Sequence, residues 1–163
     1  MNRKSTLFAL LLLLGGCTKN EYFRTSSYLL NKSAHQVVVT PWLRDSAYLQ
    51  RRVVLRPGDS TKVFENSGPE KAAATTWGEQ LRDFDSLQVW FIDTTTTLPA
   101  DTARIAHIRQ GLSVSYPKHI PYSGPRSLYN RAAWMQVQDE ETKYMMRTRF
   151  LYTFTELDYQ AAR

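Results

Sequence analysis

Between residues 28 and 154 apolar side chains recur mostly at every second position, the period of a strand that buries one face. Residues 28–30 and 36–40 are short β-branched or aromatic runs, separated by the turn cluster Asn31-Lys32-Ser33. Residues 47–65 predict a hairpin. Tyr48, Leu49, Val53, Val54 and Leu55 lead into Arg56-Pro57-Gly58-Asp59, and 61–65 form the returning strand. Pro57 presets the first central φ and Gly58 supplies the positive second one, as a type II turn requires. Residues 87–93 place Leu87, Val89 and Phe91 on one face and load the other with Trp90 and Ile92. That predicts a central strand covered on both sides. The clearest strand is 144–154, with Tyr144, Met146, Thr148, Phe150, Tyr152 and Phe154 sharing one face.

Helical signals are fewer. Residues 71–82 predict a helix weakened by Thr75, Thr76 and Gly78. Residues 127–136 predict a second, with Ser127 as N-cap, and 156–162 a third behind Thr155, with two acids in its first turn. Residues 103–108 fit either a helical turn or a strand, and 113–116 read as extended. The segment 93–101 is expected to be a loop or an exposed edge. Pro117, Pro121 and Pro125 make 116–125 a stiff loop, and Asp139-Glu140-Glu141 reads as a solvated one. The expected fold is mainly β: an antiparallel sandwich or partly closed sheet with two or three short edge helices. The alternative is α+β, with the first two helices on one face of an antiparallel sheet.

The N-terminus follows another pattern. Arg3 and Lys4 precede an unbroken apolar run from 7 to 14, and Leu14-Gly15-Gly16-Cys17 follows. This is the layout of a secretory signal, with an apolar run too short to span a bilayer as a mature helix. Leu14-Gly15-Gly16-Cys17 resembles the lipobox of bacterial lipoproteins. The resemblance implies that the Cys17 thiol receives diacylglycerol, that the chain is cut before Cys17, and that the new amine is acylated. Two or three acyl chains, each buried methylene adding ~0.8 kcal/mol, anchor a protein firmly to a bilayer. Cys17 is the single cysteine, so it has no disulfide partner within the chain. The expected organisation is a cleaved signal at 1–16, lipidated Cys17 and a polar tether to 27, and one β-rich domain over 28–163. Thr18, rather than aspartate, follows Cys17. In the lipoprotein resemblance this implies the outer membrane, with the face left open.

Removing 16 of the 163 residues leaves 147, enough to bury one core without staples. The formal charge of +6 falls to +4 with the loss of Arg3 and Lys4. The lipid bilayer, reached through acylated Cys17, is the first expected partner, and an envelope protein or glycan the second. Nucleic acid is not expected in that compartment. The ending Arg149-Phe150-Leu151-Tyr152-Thr153-Phe154-Thr155-Glu156-Leu157-Asp158-Tyr159-Gln160-Ala161-Ala162 is similar to the close of small envelope lipoproteins from Bacteroidota. What that resemblance implies is an envelope location without an assigned activity.

Motifs that carry chemistry are scarce. The chain has no nucleophile elbow, no metalloprotease helix motif and no phosphate-cradling glycine loop. His35, His107 and His119 stand alone, and Asp139-Glu140-Glu141 lacks the alternating spacing of a calcium loop. Asp83 and Asp85 are the one carboxylate pair worth naming for glycan hydrolysis. Trp42, Trp77, Trp90 and Trp134 are candidate sugar-stacking platforms or core residues. No catalytic, cofactor-binding or metal-binding residue is nominated, and Cys17 is the candidate lipidation site. The expected function is a non-enzymatic, membrane-anchored envelope lipoprotein acting as a binding or scaffold module. A glycan-binding accessory role comes second and an envelope hydrolase third. Mass spectrometry of the mature chain should show an acylated N-terminal Cys17, and Cys17→Ala should release the protein from membranes. An unmodified Cys17 at the mature terminus refutes the anchor.

Overall fold

Two mixed sheets carry the chain, seen in a computed structural model that describes residues 22–69, 75–95, 102–112, 116–142 and 145–163. In chain order the strands are β1 (Tyr22–Asn31), β2 (Gln36–Leu43), β3 (Ser46–Ala47), β4 (Val53–Leu55) and β5 (Ser60–Gly68). They continue with β6 (Ser86–Ile92), β7 (Thr102–Ile108), β8 (His119–Ile120), β9 (Met135–Thr142) and β10 (Met145–Phe154). The first sheet has the order β5-β1-β10-β9. The second runs β3-β2-β6-β7-β8, with β4 also paired to β2. Two helices, α1 (Trp77–Gln80) and α2 (Glu156–Ala162), are short, and the fold is mainly β as the residue pattern predicts.

Alternation explains the core. Val37, Val39, Leu87, Val89, Phe91, Ala103 and Ile105 from the second sheet meet Leu29, Phe150, Tyr152 and Phe154 from the first in one buried cluster. Phe91 lies edge-on to Phe154 across the gap, with centroids 6.2 Å apart, and Tyr159 of α2 meets Phe91 at 6.0 Å. β6 is central, between β2 and β7, and β10 buries Thr148, Phe150, Tyr152 and Phe154. The central place of β6 and the inward face of β10 match their sequence patterns, but Trp90 and Ile92 on the other face of β6 are only half-buried beside an open groove, and Met146 of β10 is half-buried. Tyr144, assigned to the same face of the last strand, lies outside the described residues. Residues 103–108 resolve to a strand.

Several expectations are corrected. Pro57-Gly58 does make the turn, with Gly58 at φ +84° and Asp59 N–H donating to Arg56 O. Its two flanks nevertheless do not pair: β4 joins β2 in one sheet and β5 joins β1 in the other. The predicted hairpin is a corner between sheets, because a turn directs the chain without choosing its ladder partner. The sheets are also not wholly antiparallel, since β1–β10 and β7–β8 are parallel. The β1–β10 pair joins the first and last strands, a closure that no local pattern encodes. The tether ends sooner than expected. Residues 22–27 form part of β1, and Thr25, Ser26 and Ser27 are buried despite their polarity. Ser27 Oγ accepts from Trp77 N–H at 3.0 Å, so a small hydroxyl there ties β1 to α1.

Residues 127–136 are not a helix. Leu128, Tyr129 and Trp134 all enter the core, and their spacing does not fit one helical face. The segment makes a 3-10 turn at Arg131–Ala133, capped by Asn130 Oδ1 accepting from Ala132 N–H, and then enters β9. β9 also takes up the backbone of residues 139–141, which reads as a loop in sequence. Helix α1 is shorter than 71–82. It opens on a capping box in which Glu79 accepts from Thr76 N–H and Thr76 Oγ1 accepts from Glu79 N–H. Gly78 lets it lie against the chain at Leu128, where an added Cβ would sit 1.9 Å from the carbonyl oxygen. Thr155 does precede α2. Asp158 accepts from Thr155 N–H at 2.8 Å and from Nε of Arg126 at 3.0 Å, which binds the final helix to the distant loop between β8 and β9.

Asn31 sits where the chain passes between the sheets. Its side-chain Nδ2 donates to His35 O at 2.7 Å and Leu55 O at 3.1 Å, and Oδ1 accepts from Ser33 N–H and Oγ. Its backbone exchanges hydrogen bonds with Gly58 and Asp59 of the corner turn. A buried group left unpaired costs about 1–3 kcal/mol. Asn31→Ala strands several, so chemical denaturation should show a loss of about 3 kcal/mol, comparable with the ~3–5 kcal/mol expected for Phe150→Ala. A loss near zero would remove Asn31 from the centre of the fold.

Candidate ligand-binding face

The inward residues of the second sheet build the core, so the intervening residues define its outer face. Cross-strand register sets them in rows: Trp42 beside Ser86, Thr40 beside Gln88, and Val38 beside Trp90. On the next strand Arg104 stands opposite Trp90. A groove of about 230 Å³ runs over this face, lined by Val38, Thr40, Trp42, Leu49, Arg52 and Trp90 among others. Leu49 is 64% exposed on its rim. No acid lines it.

Arg104 is held by rings. Its guanidinium carbon lies 5.0 Å from the Trp90 ring centroid and 5.4 Å from that of Tyr116. Beside these groups are polar atoms without a hydrogen-bond partner: Trp42 Nε1, Ser86 Oγ and both amide atoms of Gln88, a residue only 1% exposed. Buried polar groups are normally paired, so this cluster carries unused hydrogen-bonding capacity. Trp42 and Trp90 are half-buried here, whereas Trp77 and Trp134 are core residues, Trp134 donating from Nε1 to Leu128 O at 2.9 Å. The tryptophans named from sequence therefore divide into two structural pairs.

A larger cleft of about 660 Å³ lies near α1, lined by Glu79, Arg82, Asp83, Arg109, Tyr122 and Tyr129 among others. Its polar groups are largely engaged in holding the fold. Glu79 closes the capping box, and Tyr129 donates to Phe84 O at 3.1 Å while burial pushes its phenol pKa up. Asp85, half of the carboxylate pair named from sequence, accepts from Arg44 N–H at 2.8 Å and pairs with Arg109 at 3.4 Å. Arg44 and Asp45 both have positive φ in the tight turn between β2 and β3, a geometry that aspartate tolerates and arginine disfavours. Asp85 braces that turn. Asp83 is exposed on the cleft wall, and the pair does not share one task. Size alone favours this cleft, but aromatic faces and cations without acids favour the smaller groove for binding.

The histidines are scattered. His35 stacks on Tyr159 with centroids 3.7 Å apart, and His119 Nδ1 lies 3.1 Å from Tyr116 O. His107 is buried, its Nδ1 accepting from Leu128 N–H at 3.0 Å. Among the described residues no three His, Cys, Asp or Glu side chains gather as a metal site, and no helix is long and apolar enough to cross a membrane. Cys17 lies outside the described residues. The side chains of Asp139, Glu140 and Glu141 do as well. Arg52, Arg104, Tyr116 and Gln88 were not singled out in sequence. The signal that points to Arg104 is its pairing with Trp90, which exists only once β6 and β7 are in register. Compared with protein-family models, curated proteins and solved structures, the chain matches none.

Burial pushes the His107 pKa down from 6.5 to about 3, with the opposing pull of Asp158 and the repulsion of Arg126 as lesser causes. Between those values the unfolded chain takes up a proton that the native state refuses, so stability falls as pH drops from about 6.5 toward 3. The slope from this group reaches about 1.4 kcal/mol per pH unit. Denaturation series across that window should show it, and His107→Asn, whose Oδ1 can still accept from Leu128, should flatten it. An unchanged slope in that variant refutes the assignment.

Proposed function

We propose that the chain is a lipid-anchored, non-enzymatic binding module of the bacterial cell envelope, attached at the outer membrane through acylated Cys17. The lipobox supports the anchor. Cys17 stands five residues before Tyr22, where β1 begins, a length of chain that reaches at most about 18 Å. The anchored domain therefore works close to the bilayer surface. The observation that carries the binding role is the outer groove of the second sheet, with two half-buried tryptophans, two arginines at its margins and no acid in its lining.

The same groove favours a glycan over a protein as ligand. Sugar rings present apolar faces to tryptophan, and two half-buried tryptophans line this groove. Trp42 and Trp90 lie two rows apart, about 13 Å along the strands, which suits an oligosaccharide better than a single sugar. Near the larger cleft Glu79 closes a cap and Asp85 braces a turn, while Asp83 is exposed on the wall, and this division of tasks supports the non-enzymatic reading.

Full-length protein in detergent micelles should be retarded in gels containing at least one of a panel of neutral and acidic polysaccharides. Trp42→Ala and Trp90→Ala should each weaken that retardation about tenfold, with circular dichroism unchanged. Retardation by none of them refutes the glycan reading. Release of reducing ends by the parent, lost in the Asp83→Asn, Asp85→Asn double variant, refutes the non-enzymatic one.

A further inference from the structure

We infer that the groove on the outer face of the second sheet recognises an acidic sugar, a uronate, through Arg104 with Arg52 in support. The inference rests on the glycan reading above and narrows its ligand class. Arg104 has no acid among its described contacts. It is held instead between the rings of Trp90 and Tyr116. A cation–π contact draws on the charge of the guanidinium and does not consume its N–H donors, which remain for a ligand. A planar fork of donors matches a planar carboxylate through two parallel hydrogen bonds. Because two rings already restrain the guanidinium, less conformational freedom is lost on binding.

The surroundings agree with that choice. Trp90 both lines the groove and stacks on Arg104, so a sugar ring seated on the groove brings its substituents within range of the guanidinium. Arg52 adds a second positive charge at the groove, and no lining carboxylate repels an acid there or competes for the arginines. Partial desolvation strengthens the attraction over that of a fully solvated surface pair. Aromatic face and planar cation together describe a carboxylated sugar. A neutral sugar leaves the two arginines unused.

The test uses full-length protein in neutral detergent micelles, titrated with trigalacturonate and with its fully methyl-esterified form. Intrinsic tryptophan fluorescence and calorimetry report binding. The acid should bind at least tenfold more tightly than the ester, with the difference shrinking as salt is added. Arg104→Gln should remove most of that difference, and Arg104→Lys should restore only part of it, because charge without the fork is insufficient. Arg52→Gln should produce a smaller loss. Equal binding of acid and ester overturns this inference and leaves the glycan reading standing. Binding of neither overturns both. Polyglutamate binding as tightly as trigalacturonate overturns it in favour of an acidic protein segment.

Discussion

The fold depends on satisfying the polar backbone where the chain leaves one sheet for the other, and Asn31 does this for two crossings together. It closes β1, which lies in the first sheet, and its amide reaches the carbonyls of His35 and Leu55 at the ends of segments belonging to the second. Its own backbone holds Gly58 and Asp59, through which the chain returns. Sheet corners expose carbonyls and amides that no ladder can pair, and here they are buried. Both amide hydrogens and the carbonyl oxygen of one side chain resolve that conflict. Phe154, opposite Asn31 in the parallel pairing, accepts from Lys32 N–H and brings the last strand to the same point. With that junction set, the inner faces meet and the aromatic contacts among Phe91, Phe154 and Tyr159 follow.

Core and surface roles in the second sheet follow from the same alternation. β6 sends Leu87, Val89 and Phe91 inward, and the same seven residues send Ser86, Gln88, Trp90 and Ile92 outward. A strand that is apolar on both faces normally has layers on both sides. Here one side is the core, and the other bears the groove and the Trp90–Arg104–Tyr116 stack. The proposed ligand face is thus the reverse of the strand that anchors the core. Mutations meant to probe one must be chosen by parity so as not to damage the other.

Acids elsewhere illustrate how poorly spacing alone predicts chemistry. Asp83 and Asp85 are neighbours on one strand approach and suggest a catalytic couple. In the folded chain Asp85 is held by Arg44 N–H and Arg109, beside a turn that needs bracing. Asp158 likewise stabilises the start of α2 and receives Arg126. The carboxylates of Asp85, Glu79 and Asp158 repair local backbone geometry, and each contact is made by a partner whose proximity or geometry emerged on folding.

The sequence by itself determined the mainly-β class, the centrality of β6, the inward face of β10, the Pro57-Gly58 turn and the start of α2 behind Thr155. These are local properties, set by side-chain period and by φ preferences over a few residues. It also carried Leu14-Gly15-Gly16-Cys17, whose resemblance to a lipobox is read without any fold. Tertiary structure alone decided that the Pro57-Gly58 turn is a corner between sheets, that β1 runs parallel to β10, and that residues 127–136 extend into the core rather than coil. It alone set Arg104 against Trp90 and left Gln88 unpaired beneath the same face. Each of those outcomes depends on pairing between residues far apart in the chain, where hydrophobic burial and ladder hydrogen bonds choose the partner and local propensity does not.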